Sequence, residues 1–178
     1  MNLKKLTTAS MITLAITLSC TCFAITKEDL NIGGVYIGQP FSAVTAIYGK
    51  PVTTKEEGAP KMYFRHSFAS NGTIFDVLTG GNYYTKVPSD VFCVVVSGNN
   101  GIATSKGIKV GSTLKDITNV YGTPNRTTQQ GANKLLFYEI KDVINARAFW
   151  SWQLIFTIDQ NNIIQNIMIR KYLFDETT

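Results

Sequence analysis

Residues 35–51 read VYIGQPFSAVTAIYGKP, and residues 108–124 read IKVGSTLKDITNVYGTP. The two stretches lie 73 residues apart and align without a gap. Gly38 falls on Gly111, Tyr48 on Tyr121, Gly49 on Gly122 and Pro51 on Pro124. Apolar positions match in kind: Val35 with Ile108, Phe41 with Leu114, Val44 with Ile117, Ile47 with Val120. The same offset continues to Gly58/Gly131, Lys61/Lys134 and Phe64/Phe137. A match of this kind marks an internal duplication.

Each copy encodes the same local structure. Ile37 closes a short extended segment, Gly38 turns, and Pro40 suits the first turn of a helix, where its missing N–H is not needed. Phe41, Val44, Ile47 and Tyr48 recur at helical spacing and define a buried face. Gly49 and Pro51 then end the helix. In the second copy Ser112 is the expected N-cap, Leu114, Ile117, Val120 and Tyr121 face the core, and Gly122 with Pro124 terminates. The glycines thus have a structural role, which leaves no need for a phosphate-binding one.

Strands are expected after each helix. In the first copy they are 61–68, a turn at Asn71-Gly72, 73–78, a longer loop 79–89, and 90–97. In the second they are 134–141, 149–159, a turn at 160–162, and 163–171. The expected fold class is α+β: two tandem helix-plus-antiparallel-meander repeats of three strands each. Their sheets join into one curved sheet with the helices on one face. Residues 25–101 form the first repeat and 102–178 the second, together one compact unit, with a joint at Asn99-Asn100-Gly101.

Strand parity leaves one conflict. Trp150, Trp152, Leu154, Phe156 and Ile158 share a face and read as core. Met62, Phe64 and Phe68 form the apolar set of the first copy, whereas Leu136, Tyr138 and Ile140 form that of the second. At a 73-residue offset these are opposite faces. Either the register slips between copies, by one residue, or one copy exposes an apolar face that would bind protein.

The N-terminus reads as a secretory signal: Lys4 and Lys5, an uncharged run from Leu6 to Leu18, and small residues around Phe23. Cleavage is expected after Ala24, giving a periplasmic, secreted or envelope-associated protein with no transmembrane segment. The alternative is a lipid anchor on Cys20 or Cys22. Loss of Lys4 and Lys5 lowers the formal charge from +5 to +3, and the remaining basic residues are scattered, with no stripe for nucleic acid. Cys93 is then the one cysteine, inside the apolar run 91–96, so no internal disulfide forms and the thiol reads as a small hydrophobe.

No catalytic, metal or cofactor set emerges. His66 is the only histidine, and it alternates with Phe64 and Phe68 as a hydrogen-bonded strand residue does. Asp76, Glu139, Asp142 and Asp159 lie on separate strands or turns. Binding features are better represented. The loop 80–88 is glycine-rich and carries Tyr83 and Tyr84, a residue type favoured at contact hot spots. Tyr63 and Arg65 share a strand face, and Phe149 is the further candidate for that face.

The pattern at Ile108–Pro124, echoed at Val35–Pro51, resembles the repeats of the beta-lactamase-inhibitor-protein-like (BLIP-like) fold. It is also similar to the single domain of outer-membrane assembly lipoproteins of the SmpA/OmlA (BamE-like) type. The resemblance rests on caps, turns and core positions, and it implies a non-enzymatic extracytoplasmic module that grips a protein with a sheet face and a first-repeat loop. The inhibitors carry disulfides that this chain cannot form, and loop 80–88 has no carboxylate. The expected function is an exported protein-binding module. An envelope-assembly or structural lipoprotein is the alternative, and an inhibitor of a secreted enzyme such as a beta-lactamase a more distant one.

Overall fold

The computed structural model of the protein describes residues 24–58, 63–81 and 87–175. The expected signal segment, with Cys20 and Cys22, and the Tyr83-Tyr84 pair lie outside the described residues. A turn of 3-10 helix at Lys27–Asp29 leads into a small hairpin, β1 (Asn31–Ile32) and β2 (Val35–Tyr36).

The duplicated stretches fold alike. They give two-turn helices, α1 (Phe41–Tyr48) and α2 (Leu114–Tyr121). Gly38 and Gly111 both adopt φ +91°, a conformation that strains any residue with a Cβ. Their backbones bond to matching places: Gly38 N–H donates to Val91 O, and Gly111 N–H to Ile164 O, again 73 residues on. The N-caps differ from expectation. Thr113, not Ser112, caps α2, in a reciprocal box with Asp116. Pro40 is itself the N-cap of α1, which has no side-chain cap.

The other strands are β3 (Thr53–Glu57), β4 (Tyr63–Ser70), β5 (Thr73–Gly81), β6 (Pro88–Ser97), β7 (Arg126–Gln130), β8 (Asn133–Val143), β9 (Ala148–Ile158) and β10 (Ile164–Asp175). They form one antiparallel sheet in the order β3-β4-β5-β6-β10-β9-β8-β7. This overturns the expected α+β class of two helix-plus-meander repeats. The described residues are mostly β, 57% strand against 13% helix, and are organised by a single eight-stranded sheet. The physical reason lies in the edges and in element length. Strands β3 (TTKEE) and β7 (RTTQQ) have no apolar alternation, because an edge strand in water needs none. The helices stop after eight residues, while β8 to β10 run to 11 or 12.

The parity conflict resolves as a register slip of three residues. Five residues, 58–62, join β3 to β4, whereas Gly131 and Ala132 alone join β7 to β8. Thr53 pairs with Ser67 and Arg126 with Phe137, so β4 maps onto β8 at an offset of 70. An odd difference flips each side chain relative to the 73-residue alignment. Phe68 therefore matches Tyr138, not residue 141, and both are buried under the helices.

Both helices lie on the same face. Val44 of α1 and Ile117 and Tyr121 of α2 join one buried cluster with Phe68, Phe75, Val94, Leu154, Phe156 and Ile167. Aromatic triads recur under each helix: Tyr48, Phe68 and Phe75, then Tyr121, Tyr138 and Phe156, with ring centroids 4.7–6.1 Å apart. Leu154, Phe156 and Ile158 are fully buried as expected, while Trp152 packs only partly against the cluster.

Candidate binding surface

The opposite face of the sheet carries neither helix. One rung of side chains crosses seven strands there: Lys55, Arg65, Leu78, Cys93, Arg170, Gln153 and Glu139, each paired with the next. Strand alternation places polar groups on this face at its flanks and apolar ones at its middle. Arg65 is held between two acids, with Nε 2.9 Å from Glu57 and Nη1 3.0 Å from Asp76, and Asp76 also accepts from Ser67 at 2.7 Å. The Glu57 hydrogen bond, ahead of that from Asp76, raises the Arg65 pKa and fixes its charge. On the other flank Ser151 and Gln153 donate to Glu139. Burial works against the Glu139 carboxylate, but these donors prevail and hold its pKa below the ordinary value.

Between the flanks lies a groove of about 480 Å3. Its floor is Leu78, Cys93 and Val95, and its walls are Tyr63, Arg65, Phe92, Met168, Arg170, Lys171 and Tyr172. It opens where β6 and β10 part company. These strands pair only from Ser97/Asn166 to Cys93/Arg170. Beyond that point Val91 of β6 bonds to Gly38 and Gln39 instead. Tyr63 packs edge-on against Phe92 at 5.8 Å. Arg170 donates from Nε to Gln153 Oε1 at 2.9 Å and lies over Tyr172 at 5.1 Å. Among the described residues no carboxylate pairs with it, in contrast to Arg65.

The chemistry of the groove is not inherited from the duplication. Val95 and Met168 pair at the centre of the β6–β10 ladder and are 73 residues apart, so the two copies meet there about a local two-fold. The position related to the groove carries Asn133, Leu135, Gln165, Asn166, Ser97 and Asn99. It has no ring and no cation. Matched backbones with unmatched side chains separate what holds the fold from what is particular to one half.

Of the expected contact residues, the structure brings Tyr63 and Arg65 into the groove. Phe149 shares their face but sits on β9, four strands away, which is about 19 Å at normal ladder spacing. The sequence reading missed Phe92, Met168, Arg170 and Tyr172. Met168, Arg170 and Tyr172 alternate on β10, a period-two signal that was present, but Phe92 is masked by its apolar neighbours. His66 is buried on the helix face, its ring nitrogens 3.0 and 3.1 Å from the hydroxyls of Thr54 and Thr79. Burial pushes its pKa down to about 4 and pushes the Cys93 thiol up to about 12. Both groups are therefore neutral near pH 7. The described residues hold no cluster of three His, Cys, Asp or Glu placed to bind a metal, and no helix among them is long and apolar enough to cross a membrane.

Comparisons with models of protein families, with curated proteins and with solved structures find no match.

Proposed function

We propose that the chain is an exported, non-enzymatic module that holds a protein partner in the groove between β6 and β10. The observation that carries this reading is the groove's composition: three aromatic rings and two arginines around an apolar floor, on a sheet face that neither helix covers. Tyr, Phe and Arg around a desolvated centre are what contact hot spots are made of. Arg65 is neutralised by its acids, so Arg170 supplies the free charge, and the fitting partner segment presents a carboxylate beside apolar side chains. The likeness of Ile108–Pro124 to the inhibitor-protein and assembly-lipoprotein families supports a binding role of this kind, and the N-terminal signal pattern supports export.

The test is site-specific photo-cross-linking in the producing cell. A photoreactive residue in place of Tyr63 is expected to give an adduct that Arg170→Glu abolishes. The same residue in place of Lys115, exposed on α2, is expected to give none. Adducts of equal yield from both sites would remove the groove as the contact.

A further inference from the structure

We propose that the free end of β8–β9–β10 is a membrane-docking tongue that seats in the interface of a bilayer carrying anionic headgroups. The tongue is where the two copies differ most in length. Six residues separate the paired Phe68 and Phe75 of the β4–β5 hairpin, and fifteen separate their counterparts Tyr138 and Leu154. Past the Arg170/Cys93 pair, β10 continues to Asp175 with β9 alone beside it. There β6 diverges and runs on beside β5 to Pro88, so β8, β9 and β10 end as a separate three-stranded arm, five residues or about 17 Å long past the last β6 pairing.

Apolar side chains stand on both faces of this arm and at its tip, interspersed with Lys141, Asp142, Asn145, Arg147, Lys171 and Asp175. Val143 and Ile144 at the tip are 76% and 53% exposed, and Leu173 and Phe174 on β10 are 46% and 41% exposed. On one face Phe149 stacks on Phe174 at 4.8 Å. On the other, Trp150 and Trp152 lie side by side under Lys171, whose Nζ is 4.2 and 4.4 Å from the two ring centres. Cations also stand on both faces, since Lys141 covers Phe149 at 4.7 Å and Lys27 covers Trp152 at 4.7 Å. Asp142, the acid at this level, is already held by Lys27 Nζ at 2.6 Å and by the Trp152 indole N–H at 2.9 Å.

The distribution around the tongue selects the occupant. A protein interface is one-sided, with rings and charges gathered on the surface that meets the partner. Here exposed Val143 and Ile144, with Arg147 in the same turn, are followed by aromatic rings and then by lysines on both faces, the apolar, aromatic and cationic order met on leaving a bilayer for water. Long lysine stems laid over rings keep their charge at headgroup level while the rings go deeper. The excess of cations complements anionic lipid. This site adjoins the groove through Lys171 and Tyr172 of β10, but its test changes none of the groove residues.

Trp150 and Trp152 are the only tryptophans in the chain, so tryptophan emission reports on the tongue and its root. The full chain is mixed with vesicles of phosphatidylglycerol and phosphatidylcholine, or of phosphatidylcholine only, each with and without brominated acyl chains. The expected result is a blue shift and bromine quenching that favour the anionic vesicles. Val143→Asp with Ile144→Asp is expected to weaken this quenching at least about tenfold, with the thermal unfolding midpoint unchanged. Lys141→Glu with Arg147→Glu, which leaves Val143 and Ile144 in place, is expected to abolish the preference for anionic lipid. Quenching absent in the wild type, or unaltered in the tip variant, overturns the proposal. Self-association that the tip variant relieves, without lipid quenching, would make the tongue a protein interface and overturn it equally.

Discussion

Val95 and Met168 face one another across the ladder between β6 and β10, and each is the other's counterpart in the duplicated chain. Among the described residues β6 and β10 are the only adjacent strands drawn from different copies, so strand pairing joins the halves of the sheet there alone. Val95→Pro removes a backbone donor from this central strand, where proline has no accommodating place. Stability is expected to fall by about 3 kcal/mol or more. Urea unfolding followed by both far-ultraviolet dichroism and tryptophan emission checks this. The two probes should separate in the variant, because both tryptophans lie on β9.

His66 makes stability depend on pH. Its pKa is about 4 in the folded protein, lowered by burial from an ordinary 6.5, so in that interval the unfolded chain holds more protons. The stabilisation is complete above about pH 6.5 and is lost as pH falls toward 4, a loss of at most about 3 kcal/mol. The second copy has Leu136 and Ile158 where the first has His66 and Thr79. His66→Leu with Thr79→Ile is accordingly expected to flatten the pH dependence of the urea midpoint. An unaltered slope would assign it to other groups.

The two helices should respond unequally at their starts. Thr113 accepts from Asp116 N–H at 3.2 Å and its own N–H donates to the Asp116 carboxylate at 2.8 Å. Thr113→Ala is expected to cost about 1 kcal/mol. Pro40 offers α1 no such bond, and Pro40→Thr with Ala43→Asp transplants the box. The gain should be smaller than the Thr113 loss, because removing proline also loosens the unfolded chain. Calorimetric midpoints of the variants provide the comparison.

Gly33 and Tyr48 are coupled sterically. Gly33 sits at φ +61°, its carbonyl accepts from the Tyr48 hydroxyl at 2.6 Å, and an added Cβ would clash with that hydroxyl and approach Ile102 Cγ2 to 2.8 Å. Gly33→Ala is expected to cost about 2 kcal/mol. Tyr48→Phe removes the obstructing oxygen, so the double variant should be less unstable than the sum of the single ones. A double-mutant cycle measures that deficit.

The duplicated helix and its terminating glycines are legible from residues 35–51 and 108–124 alone, because caps and turns are local. So is the Asn71-Gly72 turn, where both residues take positive φ. The number of strands is not, since edge strands such as Thr53–Glu57 carry no hydrophobic signal. Nor is register: three residues in the connection 58–62 decide that Phe68, and not Arg65, matches Tyr138. The groove suffers from the same limit. Tyr63 and Arg65 are visible as neighbours on one strand, but Arg170 reaches the same rung only through the pairings Arg65/Leu78, Leu78/Cys93 and Cys93/Arg170.

The two rims of the sheet bear on how the molecule behaves in crowded company. An open sheet invites a ninth strand from another copy, and repetition of that step gives fibres. Here each rim is only five residues long, Thr53–Glu57 and Arg126–Gln130, and is hydroxyl, amide or charge at every position. An added strand would gain few backbone bonds and no apolar side chains to interdigitate with. Growth by strand addition is thereby discouraged at both ends, and association is left to the face and the tip.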